Sequence, residues 1–382
     1  MKRSSLIYAI IITFIVTNLL TVVLYTYLPF EKICSGRIHQ LENILENSYI
    51  GEFDKQKAEE DAIKVILSST KDKYAAFYDE EASKELLQVL DGYYCGIGVE
   101  VAVNHDENIL EIVSVYKDSP AEKGGLRAGD VIVSIDSTTY DGTMLAEASA
   151  YLKCSEEELK VKPDVIICVK RNNELKNIKV TREKIDYYKI TSFVKDKILY
   201  IRYSGFSQRS FKEFESIIKN TDESDLKGII IDLRDNPGGE LGSSIDMCDL
   251  FLDNGLIMYT LDKKENKKEY FADEYSFNAP MVVIVNESTA SAAEIFAGSM
   301  KGRNRATIIG EKTFGKGVSQ SLIEFTGPEK GTVKITTKKN YTPDGKWLNE
   351  AVTPDVVVDD KANFTNIEED SAYLTAVKIL KQ

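Results

Sequence analysis

Three segments of this sequence combine residue types that could carry nucleophilic chemistry. Asn286-Glu287-Ser288-Thr289-Ala290-Ser291-Ala292-Ala293-Glu294-Ile295 sets a serine on the turn between an apolar strand, Met281 to Val285, and a helix expected to begin near Ser291. A helix amino terminus offers partial positive charge and free N–H groups to developing negative charge. Serine and threonine also cap helices, so this segment alone leaves capping and catalysis open. Gly310-Glu311-Lys312-Thr313-Phe314-Gly315-Lys316-Gly317-Val318-Ser319-Gln320 holds a lysine between two glycines. Lysine acts as a general base only when neutral, so burial or nearby positive charge must lower its pKa. Gln320 could orient the amine without ionising. In an extended chain residues 316, 318 and 320 share a face, with about 13 Å between the Cα atoms of Lys316 and Gln320. Arg234-Asp235-Asn236-Pro237-Gly238-Gly239 follows a second apolar strand, Gly228 to Leu233. Its glycines would let N–H groups face a ligand oxygen, and would equally suit a plain tight turn.

Composition narrows the field. The 382 residues suggest two or three domains at about 150 residues each. A formal charge of −13 argues against a nucleic-acid partner, which calls for a basic face. His39 and His105 are the two histidines, too few for histidine metal sites or a Ser-His-Asp triad; His105 falls on a polar turn. The five cysteines, Cys34, Cys95, Cys154, Cys168 and Cys248, include no CxxC pair. They read as small buried hydrophobes, with a Cys154–Cys168 bridge left open in an oxidising compartment.

Lys2 and Arg3 precede a 23-residue apolar run, Leu6 to Leu28. As a helix it would span about 34 Å, enough for a hydrocarbon core of about 30 Å. The basic flank places the amino end in the cytoplasm. Residues 1–30 are therefore expected to be one transmembrane anchor in the cell membrane, with the rest extracytoplasmic; the alternative is a cleaved signal peptide, for which the run is long and no clear A-x-A-like site is found. Residues 31–91 read as a helical arm.

Residues 92–184 change character. Gly96-Ile97-Gly98-Val99 opens a strand-rich stretch, then Ser119-Pro120-Ala121 starts a short helix, and Gly125-Leu126-Arg127-Ala128-Gly129-Asp130-Val131-Ile132 leads into a strand. A helix-prone stretch from about Thr143 to Leu159 and two further strands complete it. This order resembles a PDZ domain. The resemblance implies a groove in which an extended peptide adds as a strand, with N–H groups of Gly96, Ile97, Gly98 and Val99 facing its terminal carboxylate.

Residues 185–382 alternate strands and helices, an α/β layered core with loops at the strand ends. Taken in order, the strand with Leu-Arg-Asp-Asn-Pro-Gly-Gly, then Ser-Thr-Ala-Ser-Ala-Ala-Glu-Ile, then Gly-Glu-Lys-Thr-Phe-Gly-Lys-Gly-x-x-Gln, resemble the carboxyl-terminal processing peptidases, the tail-specific serine proteases of family S41. The likeness runs from about residue 36 to the closing Tyr341-Thr342-Pro343-Asp344-Gly345 and Thr353-Pro354-Asp355. It implies an α+β multidomain fold, with a PDZ domain ahead of a crotonase/ClpP-like α/β serine protease core. It implies Ser291 as nucleophile, Lys316 as base and Gln320 as the residue orienting the lysine. Backbone N–H groups of Ala292 and of Gly238 or Gly239 would form the oxyanion hole, and neither metal nor cofactor would be used. Ser288 and Lys312 fall outside the matching positions. Relatives often read Ser-Ala-Ser-Ala-Ser-Glu where this chain has Thr289 and Ala293, which flank Ser291 without removing it. The implied partners are proteins or peptides with free carboxyl-terminal tails; apart from the resemblance, the helical arm reads as a spacer or a dimerising element, with a homodimer through the helical N-terminal and C-terminal regions left open. Two rivals are an acyl-CoA enzyme of the crotonase type and a peptide-binding scaffold with an inactive core.

Overall fold

The computed structural model describes residues 36–274, 277–326, 330–359 and 362–382. The expected membrane anchor, residues 1–30, lies outside them. Among the described residues no helix is long and apolar enough to cross a membrane. The chain divides into two compact units after Lys71. The first contains helices α1 (Arg37–Ser48) and α2 (Lys55–Ser68), the latter capped by Asp54, whose carboxylate accepts the Lys57 N–H.

The second unit begins at Asp72 with β1 (Ala76–Asp79) and α3 (Glu80–Asp91), both within the stretch assigned from sequence to the helical arm. Then come β2 (Tyr93–Gly96), β3 (Val99–Asn104), β4 (Ile109–Val115), α4 (Pro120–Gly124), β5 (Val131–Ile135) and β6 (Thr138–Thr139). They are followed by α5 (Leu145–Leu152), α6 (Glu156–Val161), β7 (Asp164–Arg171), β8 (Glu174–Thr181) and β9 (Glu183–Asp186). Strands β3-β4-β5-β7-β8 form an antiparallel sheet, with β6 paired to β5, around a core of Leu110, Ile112, Ile132, Ile135, Val165 and Ile167. The helix-prone stretch breaks in two because the Cys154 N–H turns away to the Cys95 carbonyl, 3.2 Å, while Ser155 and Glu158 form a capping box that starts α6. Cys154 thus stands beside Cys95, and Cys95, Cys154 and Cys168 are all free cysteines in this structure. Strands β2 and β9 pair with each other, Gly96 opposite Glu183, so both leads of this module run side by side.

The rest comprises β10 (Ile190–Lys195), β11 (Ile198–Tyr203), α7 (Gln208–Lys219), β12 (Gly228–Asp232), α8 (Leu241–Asp249), β13 (Gly255–Asp262), β14 (Lys267–Ala272) and β15 (Met281–Val285). After these come α9 (Ala292–Gly302), β16 (Ala306–Gly310), β17 (Val318–Glu324), β18 (Gly331–Tyr341), β19 (Val356–Val357) and α10 (Ser371–Leu380). Strands β11-β12-β15-β16-β19 are parallel, with β10 antiparallel at one edge. Strands β12 and β15 are buried along their whole length, as a parallel sheet covered on both faces requires. Alternation sorts their side chains: Ile229, Ile231, Val283 and Val285 pack with Phe214, Met247 and Phe296, while Ile230, Val282 and Ile284 pack under Tyr373 and Ala376 of α10.

A second, antiparallel sheet was not anticipated. Its order is β1-β18-β13-β14, with β17 also on β18. Ala76 of β1 lies opposite Lys334 of β18, so a strand made ahead of the PDZ-like module completes a sheet of the carboxyl-terminal core.

Candidate active site

The loop after β12 is fixed from below by buried charge. Arg234, 1 % exposed, donates through Nη2 to Asp232, 2.6 Å, and through Nη1 to Asp370, 2.9 Å. Asp370 also caps α10 by accepting the Tyr373 N–H. Above this ion cluster Asn236 joins three segments: its Nδ2 donates to the Tyr203 carbonyl, its Oδ1 accepts the Gly238 N–H at 2.8 Å, and its carbonyl accepts the Ala290 N–H. The Gly238 N–H is thereby occupied. Those of Gly239 and Ala292 have no hydrogen-bond acceptor among the described residues. Gly238 has φ +97°, and a Cβ on it would lie 2.8 Å from both the Ala292 nitrogen and the Ser291 Cβ. Only glycine allows the loop to reach the helix start so closely.

Ser291 stands at that start with φ 55° and ψ −116°, a backbone conformation strained for any residue but glycine. The strain is held by neighbours. Thr289 donates its hydroxyl to the Leu233 carbonyl, and the Ser244 hydroxyl of α8 donates to the Ala292 carbonyl. Ser288 and Lys312 are exposed and outside this cluster.

Glu294, fully buried one turn into α9, organises the remainder, and sequence reasoning missed it. Its Oε2 accepts the N–H of Ser291, 2.9 Å, and that of Lys316, 2.8 Å; its Oε1 accepts the N–H of Gly315, 2.6 Å, and the Thr313 hydroxyl. One carboxylate thus holds the serine and lysine segments together. The signal available was a glutamate three positions after a serine at a helix start, the capping-box spacing.

Lys316 precedes β17, and the β17–β18 register shifts between Ser319 and Gln320, so simple alternation across 316, 318 and 320 does not apply. Its amine lies 4.8 Å from the centre of the Tyr74 ring. Burial, then the positive charge of Lys334, lowers its pKa below the ordinary lysine value; Lys73 adds to this and Glu294 opposes it. Gln320 donates its Nε2 to Thr336 of β18 rather than meeting Lys316 directly. In the PDZ-like module Gly98 has φ +81°, the Gly98 carbonyl accepts the Tyr116 N–H and the Ile97 carbonyl accepts that of Ala121, while α5 packs against β3 to flank the loop at residues 96–99.

Comparison with known proteins places the chain in a family. Residues 197–358 match the model of peptidase family S41, and residues 111–166 match a PDZ domain. The chain is 30 % identical over 372 residues to a probable CtpA-like serine protease of Staphylococcus aureus, covering 94 % of this chain and 73 % of that one. It is 33 % identical over 327 residues to a carboxy-terminal-processing protease of Bartonella bacilliformis, covering 82 % of this chain and 73 % of the relative. Among solved structures, the photosystem II D1 C-terminal processing protease shares the fold, with TM-score 0.53 and 24 % identity over 88 % of this chain and 90 % of that one. A relative at this identity, aligned through both the module and the core, leaves no room for the crotonase reading, and the chain belongs to peptidase family S41 as a serine-type carboxyl-terminal processing protease.

Proposed function

We propose that Ser291 is the nucleophile, Lys316 the general base and Gln320 the residue that orients the lysine, in an enzyme that cleaves proteins at or near their carboxyl-terminal tails. The observation that carries this reading is the shared Glu294 oxygen, which anchors the backbones of Ser291 and Lys316 at one point. Neutral Lys316 accepts the Ser291 proton as Oγ forms its bond to the peptide carbonyl carbon. The oxyanion takes hydrogen bonds from the N–H groups of Ala292 and Gly239, the Gly238 N–H being held by Asn236. Lys316 then returns its proton to the leaving amine as the C–N bond breaks. Water, deprotonated by Lys316, hydrolyses the acyl-enzyme. A fluorophosphonate probe should label the wild type and fail to label Ser291→Ala; equal labelling would restore the scaffold reading.

The loop at Gly96, Ile97, Gly98 and Val99 receives the substrate's terminal carboxylate, and the peptide extends along β3 beside α5. Replacing that carboxylate by an amide removes charge-assisted hydrogen bonds, so KM should rise by about tenfold with kcat unchanged. Steady-state kinetics on paired free-acid and amidated peptides checks this, and equal KM values would reject it. The apolar run at residues 6–28 and its basic flank support a single-pass anchor with the catalytic part outside the cytoplasm. Exposed Ile38, Leu41 and Ile44 on α1, and Leu374 on α10, support a homodimer through the helical terminal regions.

A further inference from the structure

A second carboxylate, Asp72, bonds two residues that stand around the proposed base, Tyr74 and Thr336. Asp72 precedes β1, and its Oδ2 accepts the N–H of Thr336 at 2.8 Å. The β1–β18 ladder runs from Gly331 only to Lys334, so Asp72 supplies the acceptor that Thr336 lacks beyond the end of β1. Its Oδ1 accepts the Thr336 hydroxyl, 3.1 Å, and the N–H of Tyr74, 3.0 Å. Thr336 stands opposite Gln320 across β17 and β18, and Gln320 Nε2 donates to the same hydroxyl at 3.1 Å.

Donor arithmetic gives this chain a direction. A carboxylate only accepts, so the single Thr336 proton must go to Asp72. The hydroxyl can then only accept from Gln320, which fixes the NH2 end of that amide towards Thr336 and turns Oε1 the other way. Burial by itself would raise the Asp72 carboxyl; the N–H groups of Thr336 and Tyr74 and the Thr336 hydroxyl outweigh it and keep the group below its ordinary value. Tyr74, held by the same carboxylate, places its ring 4.8 Å from the Lys316 amine.

We infer that Asp72 is a positioning residue for the base. Through Thr336 it sets which end of the Gln320 amide is offered to Lys316, and through its bond to the Tyr74 N–H it holds the ring that covers the amine. The inference rests on reading Lys316 and Gln320 as base and orienting residue. With Oε1 towards the lysine, the amine keeps its lone pair for the Ser291 proton. With the amide reversed, an NH2 group would compete for that lone pair.

A double-mutant cycle in the full-length enzyme tests this. Thr336→Val removes the hydroxyl while keeping the β-branched shape and the backbone N–H that bonds Asp72. It should lower kcat by about 10- to 100-fold with KM unchanged, and Thr336→Ser should retain wild-type kcat. In a Gln320→Ala background Thr336→Val should change kcat less than about twofold, because its effect passes through Gln320. Asp72→Asn should behave in the same way as Thr336→Val, and a thermal midpoint for each variant separates loss of fold from loss of orientation. Losses that multiply in the cycle, or an unchanged kcat in Thr336→Val, overturn the inference. If Lys316→Ala itself retains turnover, the underlying assignment of the base is what fails; if Lys316→Ala is inactive and the cycle multiplies, only the role of Asp72 fails.

Discussion

Full-length enzyme carrying Lys316→Ala should lose about four orders of magnitude in kcat, as should Ser291→Ala, and combining the two should add little. A serine hydroxyl without a base attacks only through its rare ionised form, and the two residues act as a unit. In the wild type, activity should rise with pH as Lys316 loses its proton and level off above its pKa. That pKa lies below the ordinary lysine value because burial disfavours the ammonium and because Lys334 and Lys73 repel it, against the opposing Glu294. Removing a repelling charge favours the protonated form. Lys334→Met should therefore raise the Lys316 pKa and move the acid limb of the kcat/KM profile to higher pH. Pre-steady-state acylation measured from pH 5 to 10 checks both points. A flat profile, or substantial turnover in Lys316→Ala, would falsify the lysine-base mechanism.

Glu294→Gln should damage both stability and turnover, although Glu294 does not touch substrate. Four donors converge on its two oxygens, and an amide can face only one pair of them with its oxygen. One orientation sets the NH2 group against the N–H groups of Ser291 and Lys316, and the other sets it against the Gly315 N–H and a Thr313 hydroxyl that must turn round to accept. The expected loss is about 2–4 kcal/mol of folding free energy. The remaining folded enzyme should turn over about 100-fold more slowly, because the serine and lysine segments no longer share an anchor. Urea denaturation and active-site titration of the folded fraction separate the two effects. Unchanged turnover per folded molecule would show that the serine and lysine segments are placed by other contacts.

Three strands of the parallel sheet, β11, β12 and β15, and the turn carrying Ser291 were legible because each strand is a short, mainly apolar run followed within a few residues by glycine, proline or asparagine. The PDZ-like order was legible for a similar reason, since its punctuating glycines sit at fixed places. The antiparallel sheet was hidden. Gly331 to Tyr341 carries lysines and threonines throughout, and of its partners β1 and β13 are distant in sequence, β17 alone being its neighbour. The anchors of the site were hidden more deeply. Glu294, Asp232, Arg234 and Asp370 are charged residues that a sequence reading places on the surface, yet all are buried because they satisfy one another or several N–H groups. Asp72 gives no local signal, as its meaning depends on Thr336, 264 residues away.

The pairing of β1 with β18 bears on when a protease becomes dangerous. During synthesis the amino-terminal segment emerges first, and domains fold broadly in that order. Asp72 and Tyr74 are made early, but Thr336, Gln320 and Lys316 leave the ribosome only after the PDZ module and most of the core. The two edges of the site meet only when the chain is nearly finished, and such distant pairing is slow to form. A growing chain that already displays Ser291 therefore still lacks Lys316, the base proposed for it, in place beneath the Tyr74 ring. On the proposed Ser291–Lys316 mechanism, the same late pairing of β1 with β18 would withhold activity until the chain is almost complete.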